Sequence, residues 1–96
     1  MKVSSLGGTV TELTVPDRDG RFADVLLGRP RVEDYHGSGY MSALIGRVGN
    51  RIRNGQFVLD GVRHQIPLNA GKYCLHGGDE GFDQKVWSCR PLASPE

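Results

Sequence analysis

The chain has 96 residues, with 12 Lys+Arg against 11 Asp+Glu and a formal net charge of +1; that is enough for one domain and no second. So even a charge balance excludes a polybasic arm and removes the driving force for sequence-independent nucleic-acid binding. Leu, Ile, Val and Phe make up a quarter of the residues, above the roughly 20% floor of disordered chains, so a soluble globular chain with a modest core is expected.

The first residues, Met1-Lys2-Val3-Ser4-Ser5-Leu6-Gly7-Gly8, lack the apolar h-region of a signal peptide. No apolar run reaches the roughly 18 residues of a membrane span. A cytoplasmic setting with no membrane partner follows as the expectation. Thr9 to Val15 alternates and reads as a strand ended by Pro16, with Asp17-Arg18-Asp19-Gly20 as its turn. Asp24 to Leu27 is a short apolar run, which predicts a buried strand stopped at Gly28-Arg29-Pro30. Arg31 to Tyr35 fits a single helical turn, and His36 to Gly39 is a loop.

Gln56 to Ile66 carries the strongest local signal. Asp60-Gly61 between two alternating runs predicts a two-residue hairpin turn, because both turn residues must take positive φ. That turn pairs Leu59 with Val62 and Phe57 with His64. It gathers Phe57, Leu59, Val62, His64 and Ile66 on one apolar face, expected to cover a core, with His64 as a core histidine. Beyond Pro67 the sequence turns irregular and glycine-rich as far as Asp83, and Asp79, Glu80 and Asp83 read as solvated loop acids. Lys85 to Arg90 predicts the start of another strand. No helical period persists over ten residues, so the chain reads as all-β, one unit over residues 1–96 with no internal boundary.

Cys74 and Cys89 form no C-x-x-C pair, and no second half completes a zinc set with His76, so two reduced, partly buried thiols and no metal are expected. Two segments could carry chemistry. In Gly46-Arg47-Val48-Gly49-Asn50-Arg51-Ile52-Arg53-Asn54-Gly55 the parity puts Arg47, Arg51 and Arg53 on one side. The guanidinium's fixed donors suit a carboxylate, a phosphate or paired sugar hydroxyls, and a merely solvated face is the plainer alternative. In Leu75-His76-Gly77-Gly78 a histidine stands in a loop with no side chains after it to shield it. It is open to a ligand as hydrogen-bond partner or proton donor, or else it is incidental.

Taken together, Gly46-Arg47-Val48-Gly49-Asn50-Arg51-Ile52, the hairpin with Phe57, Leu59, Asp60 and Gly61, Asn69, Leu75-His76-Gly77-Gly78, Gly81-Phe82-Asp83 and Trp87 resemble the aldose 1-epimerase (galactose mutarotase) family. Gly7-Gly8-Thr9-Val10, Val15 to Gly20 and Asp24 to Gly28 resemble its early strands in the same order. The likeness spans roughly residues 6–88 and matches the N-terminal portion of that family. It departs at Gly49, usually alanine, at Ser42, commonly glycine, at His64, commonly tyrosine, and at Tyr73 and Cys74, usually small or polar.

The resemblance implies antiparallel strands forming part of a large β-sandwich, the galactose mutarotase-like supersandwich, incomplete in this chain. It implies interconversion of the α and β anomers of free hexoses such as galactose or glucose, without a cofactor. A base takes the anomeric hydroxyl proton, an acid protonates the ring oxygen, and the opened chain closes on either carbonyl face. Carried over by position, Asn50 and Arg51 are the hydroxyl-binding pair and His76 is the first active-site histidine, both substrate-binding and catalytic. Phe82 and Trp87 are packing groups. The family's second histidine, its substrate aspartate and its glutamate base have no counterpart here, so the chain alone is expected to be inactive. A non-catalytic carbohydrate-binding module is the alternative. A slice of a sandwich also leaves strand edges unpaired, which invites self-association.

Overall fold

A computed structural model describes residues 1–37 and 39–93. It contains eight short strands: β1 (Lys2–Val3), β2 (Val10–Glu12), β3 (Thr14–Pro16), β4 (Phe22–Asp24), β5 (Arg51–Arg53), β6 (Gln56–Leu59), β7 (Val62–Gln65) and β8 (Tyr73–Leu75). They form four antiparallel pairs, β1–β2, β3–β4, β5–β8 and β6–β7. Two 3-10 turns, Val32–Tyr35 and Phe82–Gln84, complete the regular structure. The first is the helical turn expected near Arg31. Among the described residues no helix is long and apolar enough to cross a membrane.

The hairpin forms as its turn chemistry requires. Asp60 and Gly61 take φ of 50° and 77°, and the register pairs Leu59 with Val62 and Phe57 with His64. The Phe57 and His64 rings stack, 5.0 Å apart and 15° from parallel. Their face does not cover a core, however. Phe57, Leu59 and Val62 remain 37%, 57% and 57% exposed, and His64 is half-buried rather than a core residue. Among the described residues no second layer covers them.

The expected strand from Thr9 to Val15 is broken at Leu13, and the break has a long-range cause. The Leu13 N–H donates to Asp24 Oδ1 at 3.0 Å, and the same oxygen accepts the Leu26 N–H at 3.1 Å. A carboxylate thus takes the place of a ladder carbonyl, and the chain changes partner: β2 pairs with β1, where Lys2 and Glu12 meet at 2.6 Å, and β3 pairs with β4. The β3–β4 turn is fixed by Asp17 Oδ1, which accepts the N–H groups of Asp19 and Arg21. That turn sets the register Pro16↔Phe22, so β4 ends at Asp24. The apolar run of residues 24–27 is therefore not the predicted buried strand; Val25 and Leu27 are exposed.

The segment from Lys85 to Arg90 also fails to become a strand. It makes a single bridge, Leu6↔Val86, with flanking bonds from Gly7 N to Lys85 O and from Trp87 N to Ser5 O, both 2.8 Å. Among the described apolar side chains only Tyr35 and Cys74 are buried. The radius of gyration is 17.2 Å, where a compact chain of this length would have about 12–13 Å. The molecule is an elongated ribbon of hairpins, 55 × 32 × 26 Å.

Candidate functional site

The stretch from Leu68 to Asp83, irregular by sequence, contains β8. It pairs with β5 in the register Arg51↔Leu75, Ile52↔Cys74, Arg53↔Tyr73. Alternation puts Arg51, Arg53, Tyr73 and Leu75 on one side and Ile52 and Cys74 on the other. Arg51 and Arg53 are exposed, Ile52 is half-buried and Cys74 is buried. Cys89 is exposed, and both thiols are free.

At the end of this ribbon the two chemical segments meet. The His76 N–H donates to Asn50 O at 3.0 Å, continuing the ladder by one step. The reciprocal bond differs. The Asn50 N–H donates to the His76 ring at Nδ1, 2.9 Å away, across 26 residues of sequence. Both residues take left-handed backbone, φ 61° at Asn50 and 52° at His76, a region that Asn and His tolerate better than most residues. Since Nδ1 accepts a hydrogen bond, the neutral ring carries its proton on Nε2. Arg51 Nη1 donates to Asn50 Oδ1 at 3.2 Å, which leaves its remaining donors open. The three residues singled out by sequence, Asn50, Arg51 and His76, are thus brought together by direct hydrogen bonds. Among the described residues, no carboxylate is hydrogen-bonded to any of them.

Two neighbours that spacing did not reveal complete the surroundings. The Tyr40 ring meets the His76 imidazole edge-on, 4.5 Å between centroids at 69°. The Asn69 side chain holds both backbone groups of Leu75, with Nδ2 donating to O at 2.9 Å and Oδ1 accepting from N at 2.6 Å. No local pattern betrays either contact; each depends on loops that close through space.

The His-Gly-Gly loop folds against Gly46. Gly77 has φ +95°, and a Cβ on it would run into the Gly46 carbonyl. That carbonyl also accepts the Phe82 N–H at 3.1 Å. The Phe82 ring carries the Arg47 guanidinium 5.5 Å above it and meets Trp87 edge-on at 5.1 Å, while Trp87 Nε1 donates to Phe82 O at 3.0 Å. Both aromatic groups pack the loop from behind. Arg47, which shares parity with Arg51, is committed to this stack. Asp83 is not the solvated acid expected from sequence. It is 8% exposed and accepts from Gln84 Nε2 at 2.6 Å, because the 3-10 turn at Phe82–Gln84 folds it inward. Ile52, Phe57, Ile66, Pro67 and Cys74 border a mostly apolar cavity of about 230 Å³ that Asn50, Arg47 and Gly77 also line, so it reaches the backbone of the candidate site.

The family model described as aldose 1-epimerase matches residues 1–94. Galactose mutarotase of Bos taurus is 44% identical over 93 residues, 96% of this chain and 27% of the relative. Aldose 1-epimerase of Escherichia coli is 37% identical over 82 residues, 84% of this chain and 24% of the relative. Among solved structures, an aldose epimerase homologue from C. elegans superposes with a TM-score of 0.85 at 30% identity, covering 95% of this chain and 28% of that one. Galactose 1-epimerase from Lactobacillus acidophilus gives 0.77 at 33% identity, covering 98% and 27%. The chain therefore spans about a quarter of the length of these relatives, and within that span it belongs to the aldose 1-epimerase family.

Proposed function

We propose that Asn50, Arg51 and His76 are the part of an aldose 1-epimerase site that this chain contributes, and that they bind a free aldose such as galactose or glucose. The observation that carries the reading is the bond from Asn50 N–H to His76 Nδ1. It presents Nε2–H outward as a donor to a sugar oxygen and keeps the open Arg51 donors beside it for hydroxyls. In anomer interconversion His76 stabilises or protonates the ring oxygen as the C1–O5 bond breaks. A base on the opposite side takes the anomeric hydroxyl proton, the C1–C2 bond rotates, and closure on either face gives either anomer. No cofactor enters such a cycle.

The base on the opposite side of the sugar is none of Asn50, Arg51 and His76; the resemblance assigns it to a glutamate with no counterpart here. The chain alone then binds sugar without turning it over, which is also the behaviour of a carbohydrate-binding module. Open strand edges make self-association part of the same reading. Titrating the chain with millimolar galactose should move the NMR signals of Arg51 and His76, while polarimetry shows mutarotation no faster than in buffer. Unmoved signals would sink the sugar-site reading. Acceleration abolished by His76→Ala would show instead that the chain supplies both acid and base.

A further inference from the structure

Leu75 ends β8, and its side of the ladder is settled by its neighbours. His76 N–H bonds to Asn50 O, and Asn54 N–H bonds to Lys72 O. Alternation along an antiparallel pair then turns the N–H and C=O of Leu75 away from β5. On that outer edge no strand follows among the described residues. Asn69 stands there instead, its amide accepting from Leu75 N and donating to Leu75 O, as one residue of a third strand would. Asn69 is itself fixed, since its N–H and that of Ala70 both reach Tyr73 O, and Tyr73 N–H returns to Ala70 O at 3.1 Å. Directly after Leu75 the backbone turns left-handed at His76, and the ring swings back to meet the Asn50 N–H in place of the carbonyl a regular ladder would offer.

We propose that Asn69 is a positioning residue for His76: by holding both backbone groups of Leu75, it fixes where the left-handed turn begins and so aims the imidazole Nδ1 at Asn50. This rests on the reading of His76 as a sugar-binding group for its consequence in function, but not for its geometry. Without Asn69, Leu75 keeps one neighbouring strand, the turn at His76 can begin elsewhere, and the ring is released from the Asn50 N–H. The ratio of its two neutral tautomers then falls toward that of a free histidine ring, and the outward Nε2–H is no longer fixed by the Asn50 N–H.

Long-range ¹H–¹⁵N spectra of the histidine rings test this in the full chain. In the unaltered chain His76 should show an unprotonated Nδ1 and a protonated Nε2. In Asn69→Ala both nitrogen signals should move toward intermediate values, with the tautomer ratio falling about fivefold, the worth of one modest hydrogen bond. Asn69→Asp keeps an acceptor for Leu75 N–H but has no donor for its carbonyl, and should fall between. Lys72→Ala, at the tip of the same loop, should leave both signals in place. Folded Asn69 variants with unchanged His76 nitrogens would overturn the proposal. So would unfolding of both variants, since Asn69 would then hold the fold and not the ring. A galactose titration of the unaltered chain separates the two ideas: a silent His76 removes the sugar reading, while the tautomer comparison still decides the role of Asn69.

Discussion

Replacing Gly77 by alanine probes the closest backbone approach in the site. At φ +95° an L-residue is held in left-handed backbone, at about 1–2 kcal/mol. The new Cβ would also meet the Gly46 carbonyl, and a backbone group that must shift costs about 1–3 kcal/mol more, on the scale of overpacking. Gly71→Ala is the matched control. It also has positive φ, +61°, but nothing lies within 4 Å of its Cβ. Both substitutions gain the same roughly 0.4–1 kcal/mol from a stiffer unfolded chain, so that part cancels in the comparison. Gly77→Ala should then be less stable than Gly71→Ala by about 1–3 kcal/mol, which lowers a urea midpoint by about 1 M. Trp87, the single tryptophan, reports the transition from the right place. Its ring bonds to Phe82 O, and Phe82 N–H bonds to the carbonyl that the new methyl would displace. Equal midpoints for the two variants would refute the idea that the Gly77–Gly46 approach shapes the loop.

Asp24 titrates in a predictable direction. The N–H groups of Leu13 and Leu26 aimed at it hold its carboxyl below the ordinary aspartate value. Its contribution to folding is therefore present above about pH 3.9 and lost as pH falls through the lower folded value; an NMR midpoint at or above 3.9 would contradict this. The exposed face of Phe57, Leu59 and Val62 and the open edges of four separate strand pairs should make the isolated chain self-associate. Sedimentation should show mass rising with concentration, and a monomer with one sharp melting transition would count against it.

The features legible in the sequence are those whose cause is local. Asp60-Gly61 dictates its turn and, through it, the whole register of β6 and β7. Asp17 to Gly20 likewise specifies the turn between β3 and β4. What escaped the pattern depends on partners far along the chain. The strand over Thr9 to Val15 is cut by a carboxylate eleven residues beyond Leu13, and no property of the strand itself announces it. β8 is three residues long amid glycines, and its existence depends on β5, about twenty positions earlier. Apolarity at Val25 and Leu27 says that a side chain is better covered; it does not say that this chain supplies the cover. At the site, the glycines after His76 promise close approach, and Gly77 delivers it. The meeting of Asn50 with His76 has no local signature and was legible only through resemblance to a family.

The site is held in an unusual way for a β protein. Little apolar surface is buried near it, and its geometry rests on backbone groups caught by His76, Asn69 and Gly46. Each such bond contributes only about 0.5–1.5 kcal/mol where water can compete, so hydrogen bonding alone specifies the arrangement better than it stiffens it. The same ribbon has a second side. Ile52 and Cys74 alternate with Arg51 and Leu75 and border the apolar cavity. Covering that cavity would exclude water from the back of β5–β8 and strengthen the bonds that orient His76. The cavity that Ile52 and Cys74 border also reaches Asn50 and Gly77, so anything that packs it bears directly on the backbone that holds the imidazole.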